Sequence, residues 1–320
     1  MAEFTLRLPR EVHMLRRLVP ATAVATLLIA GVTGCTAQSA ASADCAPSMS
    51  PGALSDNVVV LGEFGQSPQI TAPEGTEILS SQRTVITEAA DRSAIASENS
   101  LVGVNMAFVD AESGKKLYES PGFVDADMAP EYLLVSEDMA NPLSEAVRCA
   151  AEGDRVALAL SPEESMQLAM QLGGTPGSAL VGVIDVTSTS PLAAQGPVRG
   201  LPNGYPAVVT NEDGVPGVVL PPRAAPKGTT SATRIEGDGV VVQADDNVIG
   251  QVLAVGWDGT PQQNTWNTGL MALGSEDQIS QSGNTFRTEL TGAQLGSQVV
   301  IVENEGGAAR VVVVDVLGVN

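Results

Sequence analysis

The apolar positions of this chain fall into short β-branched runs broken by glycine, proline and acidic turns. Residues 296–302 read Gly-Ser-Gln-Val-Val-Ile-Val and residues 310–316 read Arg-Val-Val-Val-Val-Asp-Val, with Gly306 and Gly307 between them. Two such runs around a glycine-bearing turn predict an antiparallel strand pair. The same phrase occurs earlier: residues 153–160 are followed, after a longer insert, by residues 179–186, where Asp185 takes the place that Asp315 holds. One domain carried twice is therefore expected.

Taken in order, residues 57–62, 68–73 and 83–87 read as leading strands separated by turns. Residues 101–108 form a strand that turns through Glu112-Ser113-Gly114-Lys115 and returns over 116–120. Pro142 opens a short helix whose apolar positions Leu143, Ala146, Val147 and Ala150 follow i, i+3, i+4, i+7, which gives it one buried face. A second helix is expected over 162–172, inside the insert. Residues 187–204, rich in Ser, Pro, Ala and Gly, read as a linker. The pattern then restarts with runs at 207–209, 217–220, 231–239 and 247–259, an apolar run at 270–274, a short helix around 284–290 and the closing pair. Each repeat is thus several antiparallel strands with one short helix, an α+β domain. The expected organisation is a leader 1–34, a flexible tether 35–56, domains at 57–188 and 207–320, and a linker 189–206.

Composition narrows the chemistry. Aromatic residues make up only 3% of the chain, so aliphatic side chains must fill both cores. Without the leader the chain holds 12 basic and 35 acidic residues, a net charge of −23. Such a chain is repelled by nucleic acid and by anionic head groups, and neither is expected as a partner. The one histidine, His13, lies in the leader. That excludes a Ser-His-Asp triad, a Cys-His pair and a His-ligated metal from the mature protein. There is no phosphate-binding glycine loop. Asp125-Ala126-Asp127 lacks the spacing of a calcium loop and reads as a solvated acidic turn. No metal and no cofactor is expected.

The first 34 residues have the form of an export signal: Arg16-Arg17, an apolar run over 18–29 too short to span a bilayer, then small residues before Cys35. Val32-Thr33-Gly34-Cys35 resembles a lipobox, which implies cleavage before Cys35, lipidation of that cysteine and attachment to the outer face of the cell membrane through the lipid alone. Met14 is an alternative start. Export implies an oxidising compartment, so Cys45 and Cys149 are expected to pair, two free thiols being the alternative.

Arg234-Ile235-Glu236-Gly237-Asp238-Gly239, Trp257-Asp258-Gly259, the turn Gly292 to Ser297 (Gly-Ala-Gln-Leu-Gly-Ser) and Val313-Val314-Asp315-Val316 together resemble FKBP-type peptidyl-prolyl isomerases. The arrangement is similar to secreted lipoproteins that carry two such domains in tandem. The resemblance covers 207–320 well and 57–188 more weakly. It implies two FKBP-like domains, each an antiparallel sheet wrapped around a short helix. It also implies a role in folding exported proteins, with exported or envelope proteins carrying proline-containing segments as partners. Rotating an X-Pro bond against a barrier of about 18–20 kcal/mol needs no acid, base or metal. It needs an apolar pocket that binds the twisted amide better than the planar one.

The family builds that pocket from aromatic rings, and here most are replaced. In the second repeat its Tyr becomes Val252, its Phe-Asp pair falls on Gln262-Gln263, one Phe becomes Met271, and the last Phe becomes Val312. The floor survives as Phe286. The Val-Ile pair falls on Ser282-Gly283, and the Gly283 amide is left as a donor for a ligand carbonyl. In the first repeat the Tyr becomes Met106, the floor Leu143 and the last Phe Gly182, while Tyr118-Glu119 keep the Phe-Asp pair in kind. Val252, Met271, Gly283, Phe286 and Val312, with Tyr118 and Glu119 in the first repeat, are therefore the expected ligand contacts. Trp257 and Trp266 have readings as core or turn residues. Three functions follow: an exported isomerase of weak or lost activity, a non-catalytic binding or chaperone-like module, or a structural lipoprotein.

Overall fold

The structure, a computed structural model, describes residues 45–73, 75, 77–304 and 308–320. The leader and Cys35 lie outside the described residues. The sixteen described strands form two six-stranded antiparallel sheets and two hairpins. In the first repeat these are β1 (Val59–Leu61), β2 (Gln69–Thr71), β3 (Gln82–Thr87), β4 (Ser100–Asp110), β5 (Lys116–Glu119), β6 (Glu131–Val135), β7 (Arg155–Leu160) and β8 (Leu180–Pro191). In the second they are β9 (Ala207–Thr210), β10 (Pro216–Val219), β11 (Gly228–Ile235), β12 (Val248–Gly256), β13 (Pro261–Asn264), β14 (Met271–Gly274), β15 (Gln298–Asn304) and β16 (Arg310–Val319). The sheet orders are β3-β7-β8-β4-β5 and β11-β15-β16-β12-β13, with β6 added to β4 and β14 added to β12. The two sheets therefore have one topology, as the repeated closing phrase predicted. Even the bulge recurs: Thr187 is the extra residue on β8 opposite Gly103 and Val104, and Leu317 the extra residue on β16 opposite Ile249 and Gly250.

Each sheet is covered on both faces, which explains why its central strands read as unbroken apolar runs. One face of the first sheet packs Val102, Val104, Met106, Phe108, Val156, Leu158 and Ile184 against Ala146, Val147 and Ala150. Its other face packs Val109, Ala157, Ala159 and Val181 under Leu54, Val58 and the β1–β2 hairpin. The second sheet repeats the scheme, with Phe286 and Leu290 on one face and the β9–β10 hairpin, through Val208 and Val218, on the other. All eleven residues of β4 are buried in consequence.

Helix α1 (Pro142–Val147) starts where the proline placed it, capped by the Asn141 side chain, which accepts from the amides of Leu143 and Ser144. Such a cap contributes about 1 kcal/mol. The helix stops three residues short of the expected Ala150, because the buried Arg83 guanidinium donates to the carbonyls of Ala146 and Arg148. Those bonds replace a further helical turn. Helix α2 (Pro162–Leu172) fills the insert as expected, with Ser161 as its cap and Gly173 ending it in the left-handed region at φ 73°. In the second repeat the short helix is a 3-10 helix, Thr285–Leu290.

Cys45 and Cys149 form a disulfide. It corrects the expectation of a flexible tether over 35–56: residues 45–56, the described part, lie on the first domain. Leu54 and Ser55 are fully buried, and the Gln82 side chain accepts from both of their amides. An apolar Leu54 pinned by a nearby crosslink has a better place on the sheet than in water. The linker 189–206 is also engaged: β8 runs to Pro191, and the Ala194, Gln195 and Arg199 amides donate to Asp315, Gly296 and Arg234 respectively. The repeats meet where the Tyr132 hydroxyl donates to the Val319 carbonyl at 3.1 Å and accepts from the Val319 amide at 3.2 Å. Among the described residues no helix is long and apolar enough to cross a membrane.

Candidate functional site

Four of the five second-repeat residues singled out in the sequence come together. Val252 on β12, Val312 on β16 and Phe286 on the 3-10 helix belong to one cluster with Val299, Ile301 and Val314, and Met271 packs at its edge. They meet one another instead of lining a cavity: Val252 and Val312 are 0% exposed and Phe286 2%. The Met271 sulfur is taken by the Gln263 side-chain amide at 2.9 Å. Gly283 is the exception. It ends the helical turn Ile279–Ser282 at φ 71°, and its N–H already donates to the Ile279 carbonyl at 2.8 Å, so the amide expected to serve a ligand is spent within the turn.

The first repeat closes differently. Gly182, where the family's last Phe was expected to be lost, lies directly across from Phe108, and a Cβ at Gly182 would meet the Phe108 Cδ1 at 2.2 Å. The Phe108 ring therefore occupies the room a side chain on β8 would take. Met106, 5% exposed, and the half-buried Leu143 pack in the same cluster, and the Phe108 and Tyr118 centroids lie 6.3 Å apart. Phe108 was missed in the sequence. The signal was there: a large residue in the register of a glycine on the neighbouring strand.

Tyr118 and Glu119 do not act as a pair. Neighbours on one strand point to opposite faces. Tyr118 turns into the core, its hydroxyl donating to Glu131, and burial followed by that carboxylate pushes its phenol up to about 12. Glu119 turns to the other face, where it accepts from Ser67, beside β2, and from the Lys116 Nζ at 3.0 Å. The second-repeat counterparts also shift by one residue from the expected Gln262-Gln263. Tyr118 faces Phe108, and its counterpart Gln263 faces Ala254. The residue that follows each pair fixes the match: the Ser120 Oγ accepts from the Met106 amide at 2.7 Å, and the Thr265 Oγ1 accepts from the Val252 amide at 2.7 Å.

A polar row crosses the opposite face of each sheet. In the first repeat the Arg155 guanidinium donates to Asp185 at 2.6 and 2.8 Å and to the carbonyls of Gly62 and Glu63, while Asp185 also accepts from the Gly65 amide. In the second repeat Gln298 stands where Arg155 stands. Its side-chain amide donates to Asp315 at 2.8 Å, and Asp315 also accepts from the Ala194 amide at 2.8 Å. With no guanidinium in direct contact, burial pushes the Asp315 carboxyl up to about 6 against the hydrogen bonds and the charge of Arg234.

Clefts open elsewhere. One of about 560 Å³ lies by Ile78, Leu79, Ala111 and Pro162, and others of about 460 and 430 Å³ flank β11. None of these three is lined by Val252, Met271, Phe286, Val312 or Tyr118. No group of three or more His, Cys, Asp or Glu side chains among the described residues is placed to hold a metal ion.

No family model and no curated protein sequence matches the chain. Solved structures similar to it include the three FKBP domains of wheat FKBP73, at 12% identity over 75% of this chain and 95% of that one, with a TM-score of 0.31. The N-terminal domain of FKBP42 from Arabidopsis thaliana is 13% identical over 35% of this chain and 88% of that one, with a TM-score of 0.29. A peptidyl-prolyl cis-trans isomerase from Pseudomonas syringae pv. tomato is 18% identical over 34% of this chain and 75% of that one, with a TM-score of 0.27.

Proposed function

We propose that the chain is a tandem FKBP-like lipoprotein of the cell envelope that binds exported or envelope proteins without turning over X-Pro bonds. The observation that carries this reading is the closure of the faces that would hold proline: Val252, Val312 and Phe286 are sealed in one core, and Phe108 lies over Gly182 in the other. Catalysis by differential binding requires that the substrate enter. Opening either face would cost the burial of a large ring, about 3–5 kcal/mol for a Phe. The helix of each domain belongs to the same seal, the sheet curving around it.

The test is a titration of the mature, isotopically labelled chain with the tetrapeptide Ala-Leu-Pro-Phe amide. No saturable shift is expected at the amides of Val252, Phe286, Val312, Met106 or Gly182. Saturable shifts at those amides would overturn the reading. Attachment through a lipid on Cys35 is tested separately: the Cys35→Ala variant is expected in the medium and the parent protein in the membrane fraction. Equal release of both would remove the anchor from the account.

A further inference from the structure

We propose that the outer edge of β11, around Ser231 and Thr233, is a strand-addition site for an extended, neutral-to-basic polypeptide segment of another protein. This names the surface for the binding role proposed above and rests on that role. The two fail separately, because prolyl peptides probe the closed faces and the experiment below probes the sheet edge.

The same sheet edge is treated differently in the two repeats. In the first, β3 is the edge strand, and the chain covers it. The Arg83 amide donates to the Ser50 carbonyl at 3.2 Å, Gln82 holds Leu54 and Ser55, and the Thr84 hydroxyl bonds Ser55 and Asp56. The covering segment, Ser48-Met49-Ser50-Pro51-Gly52, carries two hydroxyls and bends at Ser48 and Met49. Its counterpart edge is β11. Arg83 faces Leu158 and Ser231 faces Ile301, three residues along β7 and β15 from Arg155 and Gln298, so Ser231 is the counterpart of Arg83. Its N–H and C=O therefore point outward, as do those of Thr233 two residues on.

Ser231 and Thr233 are exposed, and the linker reaches only the end of the strand, through the Arg199 amide on the Arg234 carbonyl and the bridge of Val198 to Ile235. Residues 230–233, Thr-Ser-Ala-Thr, contain no proline, lysine or inward charge of the kind that blunts an edge. The clefts of about 460 and 430 Å³ lie at the two ends of this strand on one face, one by Thr229 and Glu289, the other by Thr233 and Gln294. Strand addition draws affinity from main-chain hydrogen bonds and selectivity from places for alternate side chains. Charge decides the occupant: a formal net charge of −21 per chain disfavours a second copy and favours a neutral or basic segment.

The probe is the acetylated, amidated octapeptide Lys-Ser-Ala-Thr-Ser-Ala-Thr-Lys, which has no proline, titrated into the mature chain. Saturable amide shifts at Ser231 and Thr233 are expected at a Kd of about 1 mM or tighter, with hydrogen exchange slowed at both amides. Ser231→Pro removes the outward N–H and is expected to abolish both effects, while Ser231→Ala keeps them. Absence of saturable shifts in the parent protein would overturn the proposal, as would shifts that survive in a folded Ser231→Pro chain. So would sedimentation showing a dimer that Ser231→Pro dissociates, since a second copy would then occupy the edge.

Discussion

The two repeats solve one structural problem with different chemistry. Both bury an aspartate midway along the closing strand, and both use it to fasten the segment that covers the sheet, through the Gly65 amide in the first repeat and the Ala194 amide in the second. The first neutralises that carboxylate with Arg155, whereas the second offers only Gln298 and a more distant Arg234. The same holds on the opposite face, where Phe108 over Gly182 in one repeat corresponds to Ala254 facing Val312 in the other. Topology and register are therefore preserved while charge and volume are redistributed between neighbouring strands.

Removing one side of the buried pair sharpens this contrast most. Arg155→Ala leaves the buried Asp185 without its partner, and is expected to cost about 3–5 kcal/mol in urea unfolding. Gln298→Ala in the second repeat removes a neutral donor and is expected to cost about 1–3 kcal/mol. Equal losses would mean that Arg155 is not the stabilising partner of Asp185.

The next effect depends on pH. Because the folded state holds the Asp315 proton up to about 6, above the usual 3.8, it binds more protons than the unfolded chain between those values. This group's contribution to stability is therefore largest below pH 3.8 and falls as pH rises through 6, by about 3 kcal/mol in all. The stability of Asp315→Asn minus that of the parent protein is expected to rise from pH 4 to pH 7. A difference that stays flat would contradict the assignment.

Exchanging volumes tests the other face. Gly182→Val forces a side chain into the Phe108 ring and is expected to cost about 1–3 kcal/mol. Adding Phe108→Ala, which installs the second repeat's solution, is expected to recover part of that loss, a coupling that a double-mutant cycle reads directly. The smallest effect is at the contact between repeats: Tyr132→Phe removes both bonds to Val319 and is expected to cost about 1 kcal/mol and loosen the coupling of the two unfolding transitions.

The doubled architecture was legible because β-branched runs closing on Asp185 and Asp315 are strong local signals, as were Pro142 for a helix start and Cys45 with Cys149 for a crosslink. What was not legible depends on which way side chains point and who covers whom. Residues 45–56 look like a tether in composition, and the Cys45–Cys149 crosslink with the burial of Leu54 and Ser55 shows otherwise. Tyr118-Glu119 look like a pair until strand alternation separates them. Val252, Phe286 and Val312 were found together, yet a list of residues does not reveal whether they enclose space or fill it.

The most direct test of that distinction is exchange NMR on a prolyl tetrapeptide, comparing cis/trans interconversion with and without residues 36–320 of the chain. Closed faces predict the uncatalysed rate, on the order of tens of seconds at 25 °C, for the parent protein and for Phe286→Ala alike. Acceleration by the parent protein that falls in Phe286→Ala would place a working proline pocket in the second repeat and contradict the account.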